Sequence, residues 1–426
     1  MNRCTLPLGE KCPTTAMSGV ALTRADALCQ WQDFLPHVGA YAADRNEVRP
    51  NHGNVSRLSA AIRHRLLLED EVIHDTLLHT SFHKAEKWLQ EVCWRRYWKG
   101  WLEQRPAIWS TWRRRVSELQ RTLPAEVLRK AEAVAAGRSG VACMDTITRE
   151  LIETGYLHNH ARMWWASFWI HAEKLPWELG ADFFFRHLLD ADPASNTLSW
   201  RWVAGLQTPG KTYLVRRSNL QKYAPHLLHD PRGSDRLVDG AVVASIPTDS
   251  ADTKPCALPQ HDAAAPDHVG QRAGLWLHAD DLSPEVGPLA QARFTAVAAF
   301  TNRAVYRDHY HLSDLRISAL TSVLTDGIAR AAAYYQWPAA VADVSDTAQG
   351  ITDWAQQHRL AEVITFAPTV GPIHDVIPAL KRRLYEQGIR LTQIRRPSDT
   401  HAFSLARAGF FPFWEKMRPH LQRLAA

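Results

Sequence analysis

Two pieces of sequence decide how this chain is read: TGYLHNHARMWWASFW at residues 154–169 and LLDADPASNTLSWRW at residues 188–202. In the first, Asn159, Arg162 and Met163 are spaced i, i+3, i+4 and share one helical face. In the second, Asp190, Asp192 and Asn196 are followed closely by Trp200 and Trp202. Hydrogen-bonding side chains set among large aromatics suit a flat heteroaromatic ligand with polar edges. The same residues also fit a Trp-rich helical core with an internal Arg–Asp pair. Composition by itself does not separate the two.

Working outward, the chain has 426 residues, enough for two or three domains. Hydrophobic content of 46% and charged content of 22% are ordinary for a globular protein, but 17 Trp are not. The net charge of +6 permits a polyanionic partner without requiring one. Cys4, Cys12, Cys29, Cys93, Cys143 and Cys256 lack metal-ligand spacing, which predicts reduced thiols and a cytoplasmic setting. No run of 18 apolar residues is present, so no membrane association is expected. MNRCTLPLGEKCPTT at the start lacks the apolar segment of a secretory signal. A monomer is expected.

Along the chain, Thr23 caps a predicted helix to Val38. Pro50, Asn51, Gly53 and Asn54 mark a loop, after which Ser56–Ser59 lead into a helix. Hydroxyls at such a helix start can meet an anion, although Ser caps are common without one. Residues 70–104 read as continuous helix carrying Trp88, Glu91, Trp94, Arg95 and Trp98 on one stripe. Glu and Arg between three Trp mark that stripe as a site wall. The basic run WRRR at 112–115 reads as a solvated face. Residues 226–272, rich in Pro, Asp, Ala and Ser, read as a linker with one apolar island at 238–246. Beyond it, apolar strands at 275–278, 294–300, 339–344, 362–367 and 389–394 alternate with helices at 313–335, 351–360 and 372–387. No GxGxxG or GxxxxGK(S/T) follows these strands, so no dinucleotide or triphosphate is expected there. The fold class is therefore multi-domain α and α/β. An all-helical domain at 20–225 precedes the linker at 226–272 and a Rossmann-like parallel-sheet α/β domain at 273–426.

Four motifs, SRLS (56–59), WLQEVCWR (88–95), TGYLHNHARM (154–163) and DADPASNTLSWRW (190–202), occur in the order found in one family, with Trp177 between the last two. Through them, residues 41–222 resemble the FAD-binding domain of the DNA photolyase/cryptochrome family. The resemblance implies that FAD is the cofactor. Tyr41, Ser56, Leu58 and Ser59 would hold its phosphates, with Arg57 in the same cofactor-binding run and Val55 where the family often has Thr. Trp88, Arg95 and Asn159 would line the pocket, and Arg162 would pair with Asp190 beside the isoalloxazine. Asp192 would hydrogen-bond nearby, and Asn196 would face flavin N5, the photolyase-like choice at that position. Trp200 and Trp177 correspond to the inner two members of an electron relay; its near-surface third member is not placed by the resemblance, with Trp109 and Trp112 as candidates in a region that does not align. Trp94 and Trp202 would wall an everted lesion contacted by Met163 and Glu91. Trp200, Trp177, Asn196 and Glu91 form the implied catalytic set.

The implied function is blue-light-dependent DNA repair by a deoxyribodipyrimidine photolyase, with excited reduced FAD passing an electron to a cyclobutane pyrimidine dimer in damaged DNA. The alternative is a cryptochrome-like photoreceptor without repair activity; a third is a flavoprotein binding module without photochemistry. The domain order departs from the family, in which the α/β antenna-type domain comes first. LWLHADDL (275–282) and FFPFWEKM (410–417) are similar to the strand that opens that domain and the motif that closes it, which implies circular permutation. Ala279 stands where an Arg is typical, and the loop after Ala367 lacks an acidic residue used for a folate, so an antenna chromophore is unsupported.

Overall fold

The computed structural model describes residues 19–207, 212–237, 254–263 and 272–425. The apolar island at 238–246 lies outside them, as do Cys4 and Cys12.

The first part is helical: α1 (Arg24–Phe34), α2 (Tyr41–Asp44), α3 (Ser59–Arg63), α4 (Glu69–His79), α5 (Phe82–Glu103), α6 (Ala107–Thr122), α7 (Ala125–Ala135), α8 (Ala142–Thr154), α9 (Asn159–Ser167), α10 (Trp177–His187), α11 (Pro193–Val203) and α12 (Arg217–Tyr223). The Thr23 hydroxyl caps α1 by accepting from Asp26 N. That helix stops short of the expected Val38, because Pro36 cannot donate to the preceding turn and the chain tightens into a 3-10 turn. The stretch expected as one helix at 70–104 is two, broken where Thr80 and Ser81 are extended. Short hydroxyl side chains offer the backbone competing partners there. The 22-residue α5 is the spine, packing against α4 and α11 as well as helices of the second part.

The second part alternates: β1 (Ala273–Leu277), β2 (Ala296–Thr301), α13 (Arg303–Asp308), α14 (Asp314–Tyr335), β3 (Val341–Asp343), α15 (Thr347–Gln357), β4 (Glu362–Phe366), α16 (Ile377–Glu386), β5 (Arg390–Ile394), α17 (Pro397–Leu405) and α18 (Phe410–Ala425). The sheet is parallel in the order β3-β2-β1-β4-β5, with Leu275 opposite both Val297 and Ile364. The architecture is thus multi-domain, α followed by α/β. The third strand is shorter than its apolar run, and α15 begins earlier than expected because Asp346 caps it.

The helical part continues past residue 225. Turns at Pro225–Leu228 and Ser234–Arg236 pack back toward α8, where Ala142 N donates to Arg232 O at 3.1 Å. Residues 254–262 pass from the end of α5, where Cys256 N donates to Gln104 O at 2.8 Å, to β5, where Asp262 N donates to Gln393 O at 3.2 Å.

The two parts share one apolar cluster that includes Trp31, Trp88, Ile317, Phe403 and Phe413. A buried ionic seam joins them as well: Arg63–Asp280 at 2.7 Å, Arg65–Asp281 at 2.9 Å, Arg65–Asp399 at 2.6 Å and Arg395–Glu103 at 2.8 Å. Arg396 adds a second bond to Asp281 at 2.7 Å. This seam fills the carboxyl ends of β1, β4 and β5, the edge where parallel sheets ordinarily hold ligands. The cavity left there, lined by Arg65, Lys99, Phe366 and Arg396 among others, measures ≈ 10 Å³, room for about one water and not for an organic chromophore.

Among the described residues no helix is long and apolar enough to cross a membrane. Cys93, Cys143 and Cys256 are free, but Cys29 is disulfide-bonded, which corrects the expectation of reduced thiols throughout. Linear spacing does not reveal which thiols a fold brings together.

Candidate functional site

The two pieces that opened the sequence reading meet where Gly155 ends α8 at φ 66°, a left-handed conformation that glycine adopts without strain. A Cβ on Gly155 would lie 2.5 Å from Leu189, and Leu189 N donates to Gly155 O at 2.9 Å. That contact brings α9 beside the entry to α11. Asp192 is the N-cap of α11 and accepts from Ser195 N at 2.8 Å, which aims its other oxygen at Arg95 of α5. Arg95 also donates to the Asp190 carbonyl at 3.2 Å and to its carboxylate at 3.3 Å. Arg162 donates to the same carboxylate at 3.0 Å while its Nε is held by Leu157 O at 2.9 Å. Burial alone would raise the Asp190 pKa; the two guanidinium groups outweigh it and hold the carboxyl at about 2, with help from the Ser59 hydroxyl. Asp192 is likewise driven down against its burial by Arg95, Lys99 and Arg63. The site core is therefore two carboxylates held ionised by flanking cations. The Asn196 amide, buried beside it, donates to Ala181 O at 2.8 Å.

Tyr41, Ser56, Arg57, Leu58 and Ser59 lie on the segment running through α2 to the start of α3. Leu58 is buried, and Leu58 N donates to Ser56 Oγ at 3.4 Å. Arg57 takes φ 55°; its guanidinium lies against Gly19 and 5.3 Å over the Tyr156 ring. Tyr41 meets Trp88 edge-on at 5.2 Å, and Trp88 lies parallel to Trp31 at 5.7 Å. Trp88 is thus packed into the helical core. Asn159 is exposed on the first turn of α9.

Glu91, Trp94, Met163 and Trp202 are all half-buried. They stand on α5, α9 and α11, and α11 packs against both of the others. Glu91 is paired with Arg45 at 2.7 Å. Burial pushes its carboxyl up, with Arg45 and Lys87 opposing. Trp94 is stacked on Phe410 of α18, with centroids 3.7 Å apart and planes within 8°. Arg45 was not singled out from sequence, and Phe410 entered only within the closing motif at 410–417 and not as a site residue, because each acts through a contact between distant segments.

Trp200 is buried against Gly180, whose missing Cβ would sit 2.3 Å from the indole. Its ring neighbours are Phe184 at 5.1 Å and Trp165 at 6.1 Å; Trp165 stacks on Trp169 at 5.2 Å. Trp177 is buried, with Arg201 6.0 Å from its ring. Trp109 and Trp112 pack together at 5.2 Å, and both are buried rather than near the surface, as an outer relay member requires. Trp112 Nε1 donates to Glu178 O at 3.1 Å, and Arg113 is paired with buried Asp182 at 3.1 Å. The run 112–115 is therefore only partly a solvated face: it is amphipathic, with Arg114 and Arg115 beside Glu118.

Residues 88–233 match the family model described as the FAD binding domain of DNA photolyase. The deoxyribodipyrimidine photo-lyase of Escherichia coli is 28% identical over 202 residues, covering 44% of this chain and 40% of that protein. That of Thermus thermophilus is 34% identical over 160 residues, covering 35% and 34%. Cryptochrome-1 of Arabidopsis thaliana is 30% identical over 152 residues, covering 35% and 21%. A class III photolyase structure from Agrobacterium tumefaciens has 23% identity and a TM-score of 0.42, covering 52% of this chain and 49% of that one. The matches thus span less than half the length of these relatives.

FAD is the cofactor indicated by the matched domain. The site fits it. Among the described residues, one oxygen of the Asp190 carboxylate, Oδ1, is buried without a hydrogen-bond partner, and so are the hydroxyls of Ser195 and Thr197 and the indole N–H of Trp200. Unmet buried polar atoms are costly, and an acceptor beside two guanidinium groups calls for a ligand donor such as a flavin ring N–H.

Proposed function

We propose that the chain is a member of the DNA photolyase/cryptochrome family and, from that premise, a blue-light-dependent DNA-repair flavoprotein, a deoxyribodipyrimidine photolyase acting on cyclobutane pyrimidine dimers. The reading rests on one observation above all: Glu91, Trp94, Met163 and Trp202 stand half-buried on helices packed around the Arg95–Arg162–Asp190–Asp192 core. FAD held there in its reduced form would supply, under blue light, the electron needed for dimer splitting.

The chain's own residues do the rest. Ser56, Leu58 and Ser59, with Tyr41 and Arg57, would hold the phosphate end, and Trp88, Arg95 and Asn159 would line the pocket. Arg162, Asp190 and Asp192 would hold the ring system, and Asn196, whose amide donates to Ala181 O, would present its side chain to it. Trp94 and Trp202 stack on the everted pyrimidines, at about 1–3 kcal/mol per base, which offsets the cost of unstacking. Met163 packs against them. Glu91, held by Arg45 and with its pKa raised by burial, offers the bases a hydrogen-bonding carboxyl. Trp200 and Trp177 would be the indoles able to pass an electron toward the bound flavin. The partner is damaged DNA, met by a basic chain whose binding weakens with salt.

Illuminating the reduced protein with thymine-dimer oligonucleotide should restore undamaged thymines, measured by chromatography of the digested strand. Unchanged dimer content with a spectrally intact flavin would overturn repair. A cryptochrome-like photoreceptor is the second reading, favoured by two contacts: Glu91 and Trp94 already have partners in Arg45 and Phe410. Light-driven flavin reduction without repair is its signature.

A further inference from the structure

We propose that Phe410, at the start of α18, is a positioning residue for Trp94: it presses on the inner face of the indole and leaves the outer face presented to an unstacked pyrimidine. This rests on the functional reading above and adds to it a residue from the other end of the chain.

The contact between Trp94 and Phe410 is close and face to face, 3.7 Å between centroids at 8°. The other rings at Trp94, Tyr97 and Trp98, belong to its own helix and meet it at 82° and 38°. The side on which Phe410 lies follows from burial. A ring laid across the mouth of the site would itself face water, whereas Phe410 is 4% exposed and Trp94 remains half-buried. Phe410 is therefore behind the indole.

Phe410 is held in turn. Trp414 lies nearly parallel to it at 6.4 Å and 14°, and Phe82 continues the row at 6.3 Å and 19° from Trp414. Tyr97 meets Phe410 edge-on at 5.6 Å and ties the approach to α18 through its hydroxyl, which donates to Ala408 O at 2.7 Å. Trp414 Nε1 donates to Glu86 at 3.2 Å. Trp94 thus ends a row of rings anchored on both α5 and α18. A wall fixed before binding gives up no side-chain freedom when a base stacks on it.

The test measures affinity for an oligonucleotide carrying one thymine dimer, by fluorescence anisotropy in the dark at fixed salt. It also records the fluorine resonance of Trp94 in protein labelled with 5-fluorotryptophan, assigned through Trp94→Phe. Phe410→Ala should weaken binding about 3- to 10-fold, Phe410→Tyr should restore it, and Phe410→Ala should add nothing in a Trp94→Ala background. The Trp94 resonance should broaden or shift in Phe410→Ala without any DNA. Phe413→Ala, on the same helix and fully buried, should lower the melting temperature and leave affinity unchanged below it. An unmoved Trp94 resonance, additive effects of the two substitutions, or equal weakening by Phe413→Ala would each overturn the proposal. If Trp94→Ala leaves affinity untouched, the repair reading falls, while the resonance still decides whether Phe410 positions the indole.

Discussion

Two guanidinium groups converge on Asp190 from helices that are far apart in sequence, and this residue shows how the site is held. Asp190→Asn should leave Arg95 and Arg162 short of an anion in a buried place, at about 3 kcal/mol of stability. Urea unfolding should report that loss, and flavin absorbance per purified chain should fall about tenfold. The pair was legible in sequence because the Arg162 face and the two aspartates sit in short, dense motifs. Arg45 was not, since nothing in the loop around it announces a partner on α5. Two histidines outside the expected set give the pH response. Burial, reinforced by nearby cations, depresses the pKa of His64 and of His158 to about 3. The unfolded chain takes up these protons near pH 6.5 while the folded one refuses them. Their contribution is complete above pH 6.5 and is lost as pH falls toward 3, at about 1.4 kcal/mol per pH unit for each residue. Denaturation midpoints at pH 7 and pH 5 should show the drop, and His64→Gln should reduce its slope.

At the scale of elements, α10 and α11 come close enough for an indole to rest on a glycine. Gly180→Ala places a methyl 2.3 Å from Trp200 and 2.9 Å from Trp169. Overpacking of this kind costs about 1–3 kcal/mol. The melting temperature should fall, and on the proposed function blue-light bleaching of the flavin should slow because Trp200 is displaced; unchanged kinetics would remove Trp200 from the proposed relay. The helix periodicity of α5 and α9 was readable because their apolar residues recur at helical spacing. The break at Thr80–Ser81 was not, because the apolar stripe runs on across it. Trp165 and Trp169, neighbours of Trp200 in space, look in sequence like ordinary core residues, and only packing singles them out.

For the whole molecule, the alternation of strands and helices from β1 onward announced a parallel sheet, since buried strands in such sheets are short and apolar. How the sheet part docks on the helical part was not legible. Arg63, Arg65, Asp280, Asp281 and Asp399 look in sequence like surface charges, and only the fold turns them inward as partners. Each half by itself would leave its charges of that seam without their partners across it, and an apolar face wet. Expression of 19–237 and 254–426 as separate polypeptides should therefore give fragments that aggregate alone yet reconstitute a native-like heterodimer when produced together, scored by co-purification and by one melting transition. The seam would then act as a lock between complementary pieces, and the peptide connection between them would serve for delivery rather than cohesion.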